Sequence, residues 1–431
     1  MYNYFLLFIG ICNSLIAQEF MSQEDAVKTG LEKNYAVLIV KNQQAITKAQ
    51  NNLGAAGMSP SVTLNGNLNL ASLNSHQEFN TGVVQDRAGA KTNNSGASIN
   101  AAWNVFDGMR MFAIKKRLDL NEQLSSIQLR QQMESTVAAI IVAYNNIVRI
   151  SALIKAGKQN LSIYEERKKI AQLKLELGSD SKVDYLLSLT DENKAKSALL
   201  QLEIDLLTAK TNLNNLLTKT VDTDFKTSDS ITVNFNLQLE DLKKSAIQSN
   251  ASLLISKQNE LILSQSVKEA RAANLPLLQL NGAYVYNRNQ SQAGIVFLNR
   301  QNGLNAGLTA SWLVFNGNRN SRLVQERNIL ALNQNYVSQQ TQLLIDGTVF
   351  INYRSFLLNK QIVDMEFQNL RDSKELLTIS LERYRVGKAN LLETIETQKN
   401  LEDTQVRYIN ALYAMKVAET ELLRTNGSLV K

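Results

Sequence analysis

The chain has 431 residues, with 46 Lys and Arg against 39 Asp and Glu, and a formal charge of +7. Those charges are spread along the chain with no basic block interleaved with aromatics, which argues for a solvated mixed-charge surface and against a nucleic-acid interface. Only two prolines are present, Pro60 and Pro276; because an interior proline costs a helix roughly 3 kcal/mol, such a chain favours very long uninterrupted helices.

Residues 1–17 (MYNYFLLFIGICNSLIA) form an apolar run of signal-peptide length ending in Ala17. They read as a secretory signal cleaved before Gln18 rather than as a membrane anchor. Cys12 follows Ile11, where a lipidated cysteine wants a small residue. The mature chain then holds no cysteine, which excludes disulfides and thiolate metal sites. No later apolar run reaches the ~18 residues of a membrane helix, so an exported chain of this kind is either soluble or enters a membrane as a β-barrel.

Residues 22–59 predict a helix, with Ala26, Val27, Leu31, Val37, Leu38 and Val40 among Lys, Glu and Gln, and Pro60 stops it. From Val62 to Leu70, apolar side chains take the even positions and Thr or Asn the odd ones, the period of a strand with one oily and one wet face. Residues 74–95 are polar and Gly-rich and read as a loop. A second strand sends Ile99, Ala101, Trp103 and Val105 one way and Ser98, Asn100 and Asn104 the other, completing a hairpin over 62–106. At its end the sequence Trp-Asn-Val-Phe-Asp-Gly (103–108) turns strand into helix, with Asp107 placed as the helix N-cap.

From 107 to 177 no proline intervenes, and apolar residues step by three and four (Val137, Ile140, Ile141, Tyr144, Ile147, Val148). One helix of about 70 residues, close to 105 Å, is predicted. Gly178 supplies a left-handed C-cap. After a turn, the helix over 183–217 carries the heptad seam Leu199, Leu202, Leu206, Ala209, Leu213, Leu216. Residues 218–237 form a polar connector with one short strand over 231–235.

The plan then repeats over 238–425, leaving a tail at 426–431. Asn250 matches Asn34, Pro276 matches Pro60 and Gly282 matches Gly66, all at an offset of 216 residues. Trp312, Tyr353 and Gly387 match Trp103, Tyr144 and Gly178 at 209 residues, so the second hairpin loop is seven residues shorter. The second half therefore predicts a helix, a hairpin over 277–315 ending in Trp-Leu-Val-Phe-Asn-Gly with Asn316 as N-cap, a long helix over 317–386, and a helix over 389–425.

The hairpins carry oily faces (Val62, Leu64, Leu68, Leu70; Leu304, Ala306, Leu308, Ala310, Trp312, Val314) with no matching apolar sheet in the chain. Four strands are too few to close a barrel, and an open edge cannot stand in lipid. Ten-residue strands, oily on one face and rich in Asn, Ser and Thr on the other, fit a membrane barrel with a wet lumen closed by several copies of the chain. Trp103, Phe106, Trp312 and Phe315 fall at strand ends, where a membrane-interface girdle would sit. The alternatives are a soluble hairpin cap on helices, which leaves the wet Asn-rich face without a partner, or a secreted coiled-coil scaffold or adhesin without a pore, which does not account for the alternating hairpins. The lone histidine, His76, cannot build a zinc site or a triad, and no phosphate loop is present.

In its order of signal, two-fold repeat, W-x-V-F-[DN]-G junctions and the tip sequence Gly-Lys-Ala-Asn-Leu-Leu-Glu-Thr-Ile (387–395), the chain resembles the TolC-type outer-membrane efflux proteins over about 22–425. The resemblance implies a mainly α fold in which tandem-duplicated coiled-coil helices form an α-barrel. Two hairpins per chain would complete a twelve-stranded outer-membrane barrel in a homotrimer. It implies a passive exit duct in the cell outer membrane that extends into the periplasm. A periplasmic adaptor and an inner-membrane pump of RND or ABC type would be its partners besides outer-membrane lipid. No enzyme activity and no cofactor or metal are implied. Small-molecule efflux and type I protein secretion share this duct design and stay open alternatives.

The resemblance also assigns roles. Glu393 and Glu396 fall on the family's acidic entrance positions, which threefold symmetry would turn into two carboxylate rings. Asp184 corresponds to Glu393 in the first half, but Leu187 replaces the second acid. Tyr384 falls on a gate position; the basic partner found two residues after the glycine is replaced by Ala389. Leu177, Gly178, Ser179, Val386, Gly387 and Lys388 form the tip surface expected to dock the adaptor.

Overall fold

The computed structural model describes residues 19–178, 181–233 and 237–430. The segment read as a signal, 1–17, and the tip residue Ser179 lie outside the described residues. In chain order the elements are β1 (Glu19–Phe20), α1 (Gln23–Lys33), α2 (Tyr35–Gln50), β2 (Ser61–Glu78), β3 (Val84–Phe106), α3 (Arg110–Glu176), α4 (Lys182–Leu217), β4 (Phe225–Lys226), α5 (Leu239–Ser249), α6 (Ala251–Ala272), β5 (Leu277–Ser291), β6 (Leu298–Ser311), α7 (Arg319–Arg385) and α8 (Leu391–Thr425). The two long helices have 67 residues each. Two compact units divide the chain, and each repeat contributes to both.

The first unit takes the chain up to Lys41, then 129–251 and 342–431. Its core is the stripe Ile140, Tyr144, Ile147, Val148 and Ile150 of α3, closed by Ala26 of α1, Ala209, Leu213 and Leu217 of α4, and Phe225. The strand predicted over 231–235 is not found at its described residues, 231–233. The connector instead pairs β4 with β1 in parallel, Glu19 opposite Phe225. The Tyr144 hydroxyl ties this corner, donating to the Met21 carbonyl at 2.9 Å and accepting from the Ser228 amide at 3.0 Å. One expectation about apolar stretches needs correction. Helix α3 does hold an 18-residue window apolar enough by composition to cross a membrane, and half of that window is buried. Its apolarity belongs to the core stripe.

A second correction concerns the helix predicted over 22–59, which breaks at Asn34 and ends at Gln50. The Asn34 amide closes α1 on the Gly30 carbonyl, and its Oδ1 accepts the Ala36 amide at 3.0 Å to start α2. Its Nδ2 donates across to the Leu216 carbonyl at 2.8 Å. That carbonyl lies in the last turn of α4, where no helical N–H follows to meet it. The repeat builds the same break: Asn250 closes α5 on Ala246, and its Nδ2 donates to Thr425, the last residue of α8, at 2.7 Å. One side chain thus interrupts one helix and satisfies the end of another.

The second unit takes 42–128 and 252–341. Its sheet is antiparallel in the order β2-β3-β5-β6, so the two hairpins meet through β3 and β5, leaving β2 and β6 as edges. Strands extend beyond the expected hairpin: the loop predicted over 74–95 is mostly β2 and β3, with only 79–83 between them. Backbone pairing carries the ladder through polar residues that show no oily period, with one irregularity between Leu73 and Ser75. In the second hairpin the sheet ends at Ser311, so Trp312 and Phe315 lie past the strand, whereas Trp103 and Phe106 are still paired in β3.

The register fixes two faces. One presents Val62, Leu64, Leu68 and Leu70 in line with Ile99, Tyr284, Leu304 and Leu308, and these side chains are exposed. The other is built of amides: Asn69, Asn94, Asn289 and Asn299 form one row across all four strands, with Asn67, Gly96, Asn287 and Gln301 in the next row of that face. A Cβ at Gly96 would lie 2.7 Å from the Oδ1 atoms of both Asn67 and Asn287, so glycine there lets the amides close over the backbone.

Candidate functional site

In the second unit, the strand-to-helix junctions are built alike in both repeats. The indole N–H of Trp103 donates to the Met58 carbonyl at 2.8 Å, and that of Trp312 to the Asn274 carbonyl at 3.0 Å. Each ring therefore clamps the turn ahead of a proline that leads into a strand. Gly108 and Met109, then Gly317 and Asn318, all adopt positive φ near +65° (70, 69, 66 and 62). This left-handed pair delays the helix, so α3 starts at Arg110 and α7 at Arg319. Asp107 and Asn316 do not sit directly before the first helical residue, as an N-cap would. They reach over the pair instead: Asp107 Oδ1 accepts the Met111 amide at 3.1 Å and Asn316 Oδ1 the Asn320 amide at 3.5 Å. Phe106 is half-buried, whereas Phe315 is exposed.

In the first unit, the ends of α3 and α7 and the starts of α4 and α8 form the tips. Gly178 (φ 72) and Gly387 (φ 74) end the two long helices, with Leu177 and Val386 beside them strongly exposed. The α7–α8 turn winds on Arg383, whose carbonyl accepts the amides of Lys388 (2.7 Å) and Ala389 (3.2 Å). Asn390 caps α8 by accepting the Glu393 amide at 2.9 Å. The Arg383 guanidinium then pairs with Glu393 at 3.1 Å. So the acid at 393 is held by a cation four residues ahead of the glycine. Asp184 forms a reciprocal capping box with Ser181 at the start of α4. Glu396 is exposed. The three acids thus have three environments: one paired, one capping, one facing water.

Tyr384 is 1% exposed, and the Lys174 ammonium of α3 lies 3.9 Å from its ring centroid. This cation–π contact joins the ends of the two long helices. Sequence reading missed both Lys174 and Arg383.

A third feature has no counterpart in the expected site. Along α3 the buried seam turns polar: Asn160, Tyr164, Arg167, Ala171 and Lys174 continue the three-four spacing. Facing it, α8 presents Thr394, Gln398, Leu401 and Gln405. Arg167 is 1% exposed; it pairs with Asp191 of α4 at 2.6 Å, donates to Gln398 at 3.0 Å, and lies 5.0 Å from the Tyr164 ring centroid. The Tyr164 hydroxyl donates to Glu402 at 3.1 Å, and Asn160 to Gln405 at 2.8 Å. Burial raises the Glu402 carboxyl above its ordinary range, and burial followed by the Glu402 charge raises the Tyr164 phenol. Nearby, Glu192 bridges Lys168 (2.5 Å) and Lys196 (2.6 Å); hydrogen bonds from Lys168, then Lys196, hold its carboxyl low. Among the described residues no cluster of His, Cys, Asp and Glu suits a metal ion.

The family model described as outer membrane efflux protein matches residues 29–219 and 242–428. The fold is similar to the Campylobacter jejuni CmeC outer membrane channel, at 14% identity and a TM-score of 0.81 over 94% of this chain and 85% of that one. It is also similar to the outer membrane protein VceC of Vibrio cholerae, at 12% identity and a TM-score of 0.79 over 94% of this chain and 96% of that one. The outer-membrane channel OprN matches at 15% identity and 0.79 over 94% and 90%. At such identities these structures share the fold alone. No protein of curated function matches the sequence significantly.

Proposed function

The chain belongs to the outer membrane efflux protein family, an outer-membrane channel by that membership, and from this premise we propose that three copies close one duct for small-molecule efflux. The observation that carries the proposal is the four-stranded sheet with an exposed oily face, an amide-lined face and two unpaired edges. In lipid each unpaired backbone N–H or C=O costs several kcal/mol. A single sheet therefore cannot stand in the bilayer, and β2 of one copy must pair with β6 of the next. Three copies give the twelve strands the family leads one to expect.

The duct carries no machinery for energy. Transport is driven by an inner-membrane pump, through an adaptor docked on the tip residues Leu177, Gly178, Ser179, Val386, Gly387 and Lys388. Cations enter past Glu393 and Asp184 in the first turns of α8 and α4 and then past Glu396 one turn deeper, and Tyr384 clamped by Lys174 holds the entrance closed. Deleting the gene and measuring both drug susceptibility and the secreted proteome tests this reading. Raised susceptibility with an unchanged secretome supports it; loss of a secreted protein with unchanged susceptibility would favour type I secretion instead.

A further inference from the structure

The sheet register sets two arginines directly opposite each other on the oily face. Arg288 of β5 pairs with Arg300 of β6, in the row of Leu68 and Ser95. In such a row the Cβ atoms lie about 5 Å apart, where like charges repel. The sheet supplies no counter-charge. Neither β5 nor β6 contains an acid; β2 has only its last residue, Glu78, and β3 only Asp86, which pairs with His76. Arg288 donates from Nη2 to Gln290 at 3.3 Å, and its Nε is buried without a partner. Lys91 stands on the same face, two rows beyond Ser95.

The place of this pair along the strands gives it a partner. Going away from the junction, β6 shows Ala310, Leu308, Ala306 and Leu304 on the oily face, and β5 shows Leu280, Tyr284 and Tyr286. The arginines fall near the far end of that band, with Leu70 and Leu298 in the next row outward, opposite the end clamped by Trp312. Twelve residues separate Trp312 from Arg300, roughly 40 Å along a strand and about 30 Å along the membrane normal at a barrel tilt of ~40°. That is one hydrocarbon thickness. With Trp312 at one interface, Arg288 and Arg300 reach the headgroups of the other leaflet, with two tyrosines beneath them.

Resting on the barrel reading above, we propose that Arg288 and Arg300 jointly bind a phosphate of an outer-leaflet lipid headgroup. Two guanidinium forks offer planar, bidentate donors to phosphate oxygens, which lysine could not match. A bridging anion also turns a repulsive cross-strand pair into an attractive one.

The test is native mass spectrometry of the purified, detergent-solubilised protein. It is titrated with diphosphorylated lipid A, with the same glycolipid after dephosphorylation, and with inorganic phosphate. The phosphorylated lipid should bind about tenfold more tightly than the dephosphorylated one, and Arg288→Gln with Arg300→Gln should erase that preference. Equal binding of both lipids to the wild type would overturn the proposal whether or not the variant folds. So would inorganic phosphate binding as tightly as the lipid, since the site would then take free anions. Bilayer conductance of the wild type reports separately on the barrel: a conducting protein without lipid preference sinks this proposal alone, and a silent one sinks the barrel reading.

Discussion

Replacing Arg167 with Met should open the tip end of the α3–α4–α8 packing while leaving the fold intact. Met fills much of the arginine stem's volume, so the loss is chiefly electrostatic. The change removes a 2.6 Å ion pair, a 3.0 Å hydrogen bond and the contact with Tyr164. Breaking a buried pair by removing one partner costs about 3–5 kcal/mol. The Asp191 side chain is 20% exposed and has Lys194 at 3.4 Å, so water and a second cation soften its isolation. The loss then falls near the lower bound, about 3 kcal/mol, or roughly 100-fold in a local opening equilibrium. Hydrogen exchange reads this directly. Amides in 160–176 and 391–405 should exchange about 100-fold faster, and those around Ile140 and Leu213 should not change. Adding Asp191→Asn removes the orphaned charge and should restore part of the protection. Exchange within about threefold of the wild type, or no recovery in the double variant, would refute the assignment of Arg167 as the centre of the network.

Other perturbations probe the remaining features. Asn34→Ala and Asn250→Ala each leave a helix-end carbonyl without its donor, and Asn34→Ala also removes the side-chain cap of α2; each should cost about 1–2 kcal/mol in thermal unfolding. Gly108→Ala should be far more damaging than Gly317→Ala in the same assay. Both have positive φ, but a Cβ at Gly108 would lie 2.4 Å from the Ala272 carbonyl oxygen, and nothing lies within 4 Å at Gly317. Glu396→Gln should lower cation preference in bilayer recordings more than Glu393→Gln, because Arg383 already neutralises Glu393; equal effects would mean that this pair does not persist. For Glu402, burial raises the folded-state carboxyl above its ordinary 4.5. Below that value it is protonated in both states. As pH rises from there through the folded value, the native state holds its proton longer, so stability falls and stays lower. Glu402→Gln should abolish this decline in thermal unfolding between pH 4 and pH 8, leaving the variant the more stable at neutral pH.

Much of the architecture was legible because its signals are periodic. The repeat offsets placed both long helices within three residues of their observed starts and both tip glycines at their turns. The alternation over 62–70 gave the correct oily face, and the register carried it across β3, β5 and β6. What stayed hidden lacks period. Residues 74–95 pair as strands although both faces are polar, because backbone hydrogen bonds need no side-chain pattern. Asn34 breaks a helix through one long-range bond to Leu216, and no local propensity encodes that partner. Arg167 and Lys174 sit among five other lysines, arginines and glutamates and read as a solvated face. Their three-four spacing from Asn160, continuous with the apolar seam, was the available sign that they point inward. At the tip, the pairing of Arg383 with Glu393 depends on how the turn folds back, which sequence spacing alone does not fix.

In the proposed barrel, β2 of one copy pairs with β6 of the next until three chains close it. The only cysteine, Cys12, lies in the segment 1–17 read from sequence as a signal, so Asn65→Cys in β2 and Asn305→Cys in β6 can be linked in the intact outer membrane by a short dithiol-reactive reagent. A closed trimer gives a denaturing-gel ladder that stops at three chains, from a protein that conducts ions in a bilayer. Monomer alone, or a ladder running beyond three, would contradict it.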